Sequence, residues 1–172
     1  MRVSIITGGG SGIGAAVARR LAGPGECLML DAQGADAAGL ARLKAVAAEC
    51  ERAGAKVTWR SGDLAVAGTA IELVRATREA FGKIDAIVHA AGFADRRSFA
   101  NLPRQDLERS FAVMASAFHE LTSSALPHLT RGSQARVVAV SSFAAHRFTR
   151  PRDTPSATAT TFRCRAALTS AS

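Results

Sequence analysis

A glycine cluster between a predicted strand and a predicted helix constrains this chain more than any other feature. The β-branched run Arg2–Thr7 is typical of a buried strand, and a helical pattern covers residues 15–22. The segment that joins them reads Gly8-Gly9-Gly10-Ser11-Gly12-Ile13-Gly14. Such glycines make the tight turn, let the backbone approach a pyrophosphate and let helix and strand pack closely. The pattern predicts a nucleotide site; a triphosphate-binding loop is disfavoured, because no Lys-Ser/Thr pair follows.

The rest of the chain alternates predicted strands and helices. Strands are predicted at residues 27–31, 56–60, 85–89 and 135–141, and helices at residues 37–53, 67–81 and 104–126, where Pro127 follows. The apolar faces of the two later helices are assigned to Ala67, Ile71, Val74 and Phe81, and to Leu107, Phe111, Met114, Phe118 and Leu121. This alternation predicts an α/β fold with a parallel sheet and right-handed crossovers.

Charge is distributed unevenly along the 172 residues. The net charge is +8, of which +6 lies in residues 131–172, where seven arginines accompany one acid. A nucleic-acid surface would spread its charge over the folded body, so this class is disfavoured; salt-dependent binding through the Arg-rich tail stays a minor alternative. No apolar run is long enough for a membrane helix, and the chain begins with a strand rather than a signal peptide. The expected location is the cytoplasm.

Cysteine and histidine do not form a metal-binding pattern. Cys27, Cys50 and Cys164 are odd in number and widely spaced, which favours reduced, mostly buried thiols over disulfides or a zinc site. None of the four histidines has the spacing of a metal-ligand pair, so no metal is expected.

An acidic residue at the end of the second strand indicates which nucleotide binds. Asp31 lies 23 residues after Gly8, where a carboxylate accepts hydrogen bonds from the adenosine ribose hydroxyls and repels a 2′-phosphate. No Arg or Lys follows within residues 32–34 to bind that phosphate. NAD is therefore predicted in preference to NADP; the alternative is that Asp31 is only a turn residue.

Four motifs in order give residues 1–142 a resemblance to the short-chain dehydrogenase/reductase family. They are residues 7–14, Gly62-Asp63-Leu64, His89-Ala90-Ala91-Gly92 and residues 137–142, whose last residue, Ser142, matches the catalytic serine of the family. The resemblance implies a Rossmann-type doubly wound parallel sheet of order 3-2-1-4-5, here lacking the usual last strands. It also implies hydride transfer between a nicotinamide cofactor and an alcohol or ketone. The cofactor-binding residues that it implies are Gly8, Ser11, Gly12, Ile13, Gly14, Asp31, Asp63, Leu64, Ala91 and Gly92.

The sequence departs from the family where the chemistry takes place. The family uses a tyrosine as general acid/base with a lysine four residues later, but this sequence has no tyrosine and its last lysine is Lys83. Residues 161–168 echo that motif with Thr161 and Arg165 in the two positions, either as a degraded catalytic helix or by chance. A threonine hydroxyl is too weak an acid to replace a phenol, and arginine hardly exchanges a proton.

Three other positions bear on catalysis. Met114 stands where the family has the asparagine of its proton relay and is interpreted as a core side chain. His89 replaces the first asparagine of the motif after the fourth strand. His146, four residues past Ser142, is either a substitute acid/base or an exposed loop residue. Without a proton donor, hydride transfer to a ketone leaves an unstabilised alkoxide, so turnover is expected to be very poor.

The sequence predicts two regions with different roles. Residues 1–142 form the NAD(P)-binding Rossmann domain, and residues 143–172 form an Arg/Thr/Ala-rich tail without strand periodicity. The composition after about residue 147 also resembles an out-of-frame reading of a GC-rich gene, a hypothesis that sequencing the source locus tests. The predicted function is an NAD(P)-dependent oxidoreductase of a small alcohol or ketone; the alternative is a non-catalytic NAD(H)-binding or interaction module. Helix 104–126 is the expected surface of a homo-oligomer.

Overall fold

The computed structural model describes residues 1–34, 36–94, 101–129, 135–142 and 157–162. Six strands form one sheet: β1 (Arg2–Thr7), β2 (Glu26–Ala32), β3 (Lys56–Ser61), β4 (Ala86–His89), β5 (Arg136–Ser142) and β6 (Ala157–Phe162). Their order across the sheet is β3-β2-β1-β4-β5-β6. The first five strands are parallel, which confirms the predicted doubly wound sheet and its order 3-2-1-4-5.

Helices lie on both faces of this sheet. They are α1 (Gly12–Leu21), α2 (Ala37–Arg52), α3 (Thr69–Phe81), α4 (Arg104–Phe111), a π-helical turn (Ala112–Ser116) and α5 (Ala117–Leu129). Successive strand residues point to opposite faces. Ile5 and Met29 pack with α3 and α5, whereas Ile6 and Leu28 pack with α1 and α2. Because five strands are parallel, their carboxyl ends meet at one edge, where ligands bind in open α/β folds.

Helix α3 buries only part of the predicted apolar face, since Val74 is buried and Phe81 packs against the core as predicted. The prediction placed Ala67 and Ile71 on the apolar face, but Ala67 precedes the helix and Ile71 is exposed. The buried residues are Ala70, Leu73, Val74 and Thr77. The Thr77 hydroxyl donates to the carbonyl of Leu73 at 2.7 Å, which allows this polar residue to be buried. The predicted face therefore omits two apolar residues, Ala70 and Leu73, as well as the polar residue Thr77.

The predicted helix 104–126 is interrupted and ends later than expected. A π-helical turn joins α4 to α5, and in it the N–H of Ala117 donates to the carbonyl of Ala112, five residues earlier. Pro127 lies inside α5 rather than after its end. Proline has no N–H to donate to the preceding turn, but Leu129 is fully buried, and its packing keeps the last residues helical.

The π-helical turn also decides which side of the helix faces the core. Buried positions recur every four residues, at Val113, Ala117, Leu121, Ala125 and Leu129. Along the predicted stripe, Leu107, Phe111 and Met114 are exposed instead, and α4 has no buried residue. The interpretation of Met114 as a core side chain is wrong: Val113 occupies the buried position, and Met114 is 42% exposed.

The structure adds a strand that the sequence pattern does not predict. β6 pairs antiparallel with β5, with Ser142 opposite Ala157 and Val137 opposite Phe162. Residues 143–172, whose sequence shows no strand periodicity, thus contribute one strand beside β5. Its threonines favour extended backbone, and the edge of β5 offers unpaired N–H and carbonyl groups. Thr161 lies in this strand, so the interpretation of residues 161–168 as a degraded helix is wrong at its first position.

Two further expectations concern cysteines and membranes. Cys27 and Cys50 are buried free thiols, as the sequence predicts, whereas Cys164 lies outside the described residues. No helix in the described ranges is long and apolar enough to cross a membrane.

Candidate functional site

The glycine loop follows β1 and leads directly into α1. Gly8 has a φ of +69°, and a Cβ placed on it would lie 2.9 Å from the backbone of Ala90. A Cβ on Gly14 would lie 2.2 Å from the carbonyl oxygen of Gly8. On the other side of the loop, the N–H of Gly9 donates to the carbonyl of Asp31 at 2.7 Å. The loop is thus held against both neighbouring strands, and a larger residue at position 8 or 14 would displace it.

The start of α1 is open to a ligand. Gly12 has a φ of +52°, and a Cβ there would meet no described atom within 4 Å. Ser11 precedes the helix in extended backbone, and its side chain makes no capping hydrogen bond. Ile13, in the first turn, is exposed. The first N–H groups of α1 have no acceptor from the capping side chain, and such a helix N-terminus favours an anion.

A cavity of about 200 Å³ lies beside this loop, at the carboxyl ends of the strands. Seven of the ten predicted cofactor-binding residues line it, namely Gly8, Ser11, Asp31, Asp63, Leu64, Ala91 and Gly92. Gly12 lines a neighbouring cavity of about 270 Å³, which shares Ser11 and Arg42 with the first. Ile13 and Gly14 line neither cavity. The fold therefore brings most of the predicted residues to one place.

Asp31 is a buried carboxyl with an unused oxygen. The residue is 2% exposed, and its Oδ2 has no hydrogen-bond partner among the described residues. Burial raises the pKa of Asp31 to about 7, and the positive charge of Arg60 opposes that rise. A buried polar atom without a partner is rare in proteins. One that lines a cavity indicates a ligand that would supply the missing hydrogen bond.

Asp63 is held in a different way. Its Oδ1 accepts a hydrogen bond from the N–H of Ala65, and its Oδ2 accepts one from Nη2 of Arg109 in α4, each at 2.9 Å. The side chain of Gln33 donates to the same carboxyl. Burial alone would raise the pKa of Asp63, but these hydrogen bonds and the Arg109 charge outweigh it and lower the pKa. Asp63 is thus ionised and fixed in orientation at neutral pH.

His89, at the end of β4, belongs to a buried polar group. The N–H of Ala91 donates to Oγ1 of Thr7 at 3.2 Å, and the same oxygen lies 2.9 Å from Nδ1 of His89. Burial lowers the pKa of His89, against the effect of the backbone of Val113 and Met114, so the ring is neutral at neutral pH. His89 does not line the cavity. It links β1 to the loop after β4.

The positions that bear on catalysis lie only partly within the described residues. Ser142 is the last residue of β5. A Cβ on Gly92 would lie 3.4 Å from Cγ and Sδ of Met114, so the thioether covers the cavity wall. A thioether has no proton to donate, and it cannot hold a relay water as an amide does. His146 and Arg165 lie outside the described residues. Within the described part of the chain, no cluster of His, Cys, Asp and Glu could hold a metal ion.

Among the cavity residues that the sequence does not mark are Gly39, Arg42 and Val113. Arg42 lies in α2, beyond residues 32–34, on which the predicted preference for NAD is based. No sequence signal marks Arg42, because Gly39, three residues earlier and beside the same cavity, is itself not a predicted site residue. Val113 comes from the π-helical turn, and no pattern in the sequence marks such a turn.

Comparison with known proteins decides the family. The family model described as short chain dehydrogenase matches residues 2–153. The chain belongs to the short-chain dehydrogenase/reductase family. The match spans β1 to β5 and the helices between them, which is the region of the predicted resemblance.

Curated relatives of this short-chain dehydrogenase/reductase resemble it over most of its length. An uncharacterized oxidoreductase of Mycobacterium tuberculosis is 31% identical over 126 residues, which are 73% of this chain and 46% of the relative. An L-rhamnose 1-dehydrogenase (NAD(P)(+)) of a Sphingomonas species is 30% identical over 142 residues, which are 82% of this chain and 54% of the relative. The chain thus spans about half the length of these relatives.

Solved structures of the family share the fold. A short chain dehydrogenase of Burkholderia cenocepacia, in complex with NADP, superposes with a TM-score of 0.79 at 30% identity and covers 87% of this chain and 58% of that one. A short-chain dehydrogenase/reductase of Serratia marcescens superposes with a TM-score of 0.76 at 31% identity and covers 85% and 57%. Both confirm the Rossmann-type sheet.

Proposed function

We propose that this short-chain dehydrogenase/reductase binds NAD(H) at the edge of the sheet where β1, β2 and β4 end. The observation that carries the proposal is Oδ2 of Asp31, which has no hydrogen-bond partner among the described residues and belongs to a residue that lines a cavity beside the uncapped start of α1. Ribose hydroxyls would donate to this oxygen, and a pyrophosphate suits free helical N–H groups. The site fits a nicotinamide dinucleotide, the class of cofactor bound to the Burkholderia relative.

The glycine loop would bind the phosphates. Gly8 and Gly14 allow the close backbone contacts that set the loop's shape. Ser11, Gly12 and Ile13 present the helix N-terminus, and the open space at Gly12 leaves room for a pyrophosphate.

The remaining residues would bind the two ends of the dinucleotide. Asp31 accepts the ribose hydroxyls, while Asp63 and Leu64 flank the adenine. Ala91 and Gly92 form the wall of the cavity after β4, where the N–H of Ala91 is already anchored on Thr7. The backbone on this side is thus set before the cofactor arrives.

We favour NAD over NADP because of the charge at Asp31. An ionised carboxylate accepts two hydroxyl donors and repels the 2′-phosphate of NADP. Arg42 lines the same cavity and would attract that phosphate, but it is one turn into α2, whereas Asp31 closes the end of β2. The expected preference is therefore for NADH, with measurable binding of NADPH.

A fluorescence titration of the purified chain tests this site. NADH should bind saturably and more tightly than NADPH, and Asp31→Ala should weaken NADH at least about tenfold, because a charged hydrogen-bond acceptor is lost. Glu79→Ala is the matched control, since it removes an acid from the exposed surface of α3. Absence of saturable NADH binding, or equal weakening by the control, would refute the proposal.

A second pair of variants tests the phosphate end of the site. Gly12→Ala and Gly25→Ala each place a side chain at a positive φ with no described atom within 4 Å. The two substitutions carry similar backbone strain, but only Gly12 lies in the glycine loop. NADH affinity should fall in Gly12→Ala and persist in Gly25→Ala.

The chemistry of the family would be hydride exchange with a small alcohol or ketone. Nicotinamide, when bound, supplies or accepts the hydride. Ser142 could hydrogen-bond the reacting oxygen, but the 172 residues contain no tyrosine to exchange a proton with that oxygen. Met114 stands where the family has the asparagine of its proton relay. We therefore expect very low turnover, which favours a non-catalytic NAD(H)-binding module as the second candidate.

Turnover separates the two candidates. NAD reduction is measured with a panel of secondary alcohols under conditions where NADH binding is already saturable. Rates indistinguishable from a protein-free blank support the binding module. A rate that Ser142→Ala abolishes supports the oxidoreductase.

We also propose that residues 104–126 pair with a second copy of the chain. Leu107, Phe111 and Met114 lie along one side of this helix and are exposed, Phe111 to 62%. Phe111→Glu should lower the sedimentation coefficient if this surface forms the dimer.

We also propose that residues 1–142 form the cofactor domain and that residues 143–172 are appended to it. We place the protein in the cytoplasm, where buried thiols such as Cys27 and Cys50 stay reduced.

A further inference from the structure

One row of side chains crosses the sheet at the carboxyl ends of the strands. Arg60 of β3, Asp31 of β2, Thr7 of β1 and His89 of β4 are partners in register, strand by strand. Residues paired in adjacent parallel strands point to the same face. Since Ile5 and Met29, two residues before Thr7 and Asp31, pack against α3 and α5, the whole row lies on that face.

Asp31 has unequal neighbours within this row. On one side, the hydroxyl of Thr7 is engaged with His89 and with the N–H of Ala91, so it does not serve Asp31. On the other side stands Arg60, about 5 Å away along the ladder between Cα atoms. Arg60 is exposed, whereas Asp31 is almost fully buried. The exposed guanidinium of Arg60 thus provides a positive charge beside the buried carboxyl of Asp31.

The other charged groups around Asp31 do not replace this cation. They are Glu72 of α3, which shares a cavity of about 610 Å³ with Asp31 and Arg60; Asp63 and Arg42, which line the smaller cavity; and neutral His89 beyond Thr7. Asp63 is engaged by Arg109, and Asp63 and Glu72 are acids, so neither can oppose the burial of the Asp31 charge as a cation does. The hydrogen bond from Arg75 is the main cause of the lowered pKa of Glu72, and the charge of Arg60 adds to it, so Arg60 acts on Glu72 as well as on Asp31.

We propose that Arg60 is a positioning residue of the cofactor site, whose guanidinium favours the charged form of the Asp31 carboxyl, the form that best accepts the ribose hydroxyls. The role rests on the NAD(H) site proposed above and acts through Asp31, without contact between Arg60 and the cofactor. Burial works against the charged form of Asp31, whose pKa lies at about 7 even with Arg60 present. Loss of the cation therefore matters most at neutral pH.

The sign of the effect follows from this arrangement. Protonation of Asp31 removes its charge and leaves a single, weaker acceptor oxygen, so NADH affinity should fall as pH drops through the Asp31 titration. Without the Arg60 charge, the carboxyl takes up a proton at higher pH. In Arg60→Met, the midpoint of the affinity profile should move upward by roughly 0.5 to 1 pH unit, a small shift because Arg60 is exposed to water and salt.

The experiment measures two profiles on the full chain between pH 5 and 9. One is NADH affinity by fluorescence; the other is the carboxyl ¹³C shift of Asp31 without cofactor, assigned through Asp31→Asn. The variants are Arg60→Met, a second neutral form Arg60→Gln, and Arg60→Lys, which keeps the charge. Arg52→Met is the matched control, because it removes the same charge at the far end of α2, away from the carboxyl ends of the strands.

The proposal expects both midpoints to rise in Arg60→Met and Arg60→Gln and to stay at the wild-type value in Arg60→Lys and Arg52→Met. Equal midpoints in all variants would overturn it, as would a shift of the same size in Arg52→Met. A wild-type chain that binds no NADH would refute the proposed function, while the ¹³C profile would still decide whether Arg60 controls the charge of Asp31.

Discussion

The carboxyl ends of β1 to β3 and those of β4 and β5 lie at one edge of the sheet but differ in their chemistry. After β1 to β3, the chain presents an open helix start, a fixed carboxylate at Asp63 and an unpartnered oxygen at Asp31. After β4, His89 is enclosed against Thr7 and Met114 covers Gly92 with a thioether. β5 is bordered by an antiparallel strand.

This difference separates cofactor binding from proton transfer. The proposed NAD(H) binding depends on backbone shape and on two acids, and the region after β1 to β3 contains both. Proton transfer needs a side chain with a suitable pKa near the reacting oxygen, and neither His89, which does not line the cavity, nor Met114 offers one. Under the proposed function, we therefore expect NADH binding to be easier to detect than turnover.

The largest effect is expected from filling the contact between the glycine loop and α1. A Cβ on Gly14 would lie 2.2 Å from the carbonyl oxygen and 2.6 Å from the carbonyl carbon of Gly8, both backbone atoms that cannot rotate away. Gly14→Ala should therefore lower the free energy of unfolding by about 4 kcal/mol and abolish NADH binding. Urea unfolding followed by circular dichroism measures the first, and the fluorescence titration the second.

Gly23→Ala is the control for this change. Gly23 lies after α1, and a Cβ there would meet nothing within 4 Å. Its unfolding free energy and NADH affinity should match those of the wild type. If Gly14→Ala were as stable as Gly23→Ala, the close packing of the loop on α1 would be wrong.

The next largest effect is on the free energy of unfolding, to which Asp31 and Asp63 contribute with opposite pH dependence. The folded pKa of Asp31 is about 7, against 3.8 for the free side chain, so the folded chain holds a proton that the unfolded chain has lost between these values. Asp31 therefore favours folding at low pH, and this contribution, at most about 4 kcal/mol, disappears as pH rises to about 7. Asp63 has the opposite sign: its lowered pKa favours folding above the titration of the free acid.

Unfolding free energies at pH 5 and pH 8 measure this contrast. The wild type should lose stability relative to Asp31→Asn as pH rises, while Asp63→Asn should lose stability relative to the wild type at both values. The control is Glu79→Gln, an exposed acid of α3. A wild type and an Asp31→Asn variant with parallel pH profiles would show that Asp31 does not titrate near neutrality.

The sequence predicts the sheet well, because its signals are local. Each parallel strand is a short apolar run bounded by turn residues, and the family motifs fix their order. The predictions fail where tertiary packing, rather than the local sequence, determines the structure. Thr77 is buried because its hydroxyl bonds to the helix backbone, and Leu129 extends α5 past Pro127 by filling the core. β6 forms because it meets the edge of β5, a partner more than ten residues away in sequence.

For the site, the sequence predicts which residues gather but not how each is used. Asp31 and Asp63 carry the same functional group, and the motifs assign both to the cofactor. Only the structure shows that Asp63 is fixed by Arg109, 46 residues later, whereas Asp31 keeps a free oxygen. Arg42 of α2 lines the same cavity, and Arg60 of β3 opposes the rise in the pKa of Asp31. Neither arginine belongs to a sequence motif that marks it as a site residue.

The smallest effect is expected from the ion pair that fixes Asp63. Both side chains are about one third exposed, so Arg109→Ala should cost only about 0.5 kcal/mol of unfolding free energy, and less at high salt. NADH affinity should fall about two- to threefold, because the N–H of Ala65 still holds Oδ1. Arg104→Ala, which breaks an exposed pair with Glu108 on the same helix, should leave NADH affinity unchanged. A tenfold loss in Arg109→Ala would place the decisive carboxylate at Asp63 rather than Asp31.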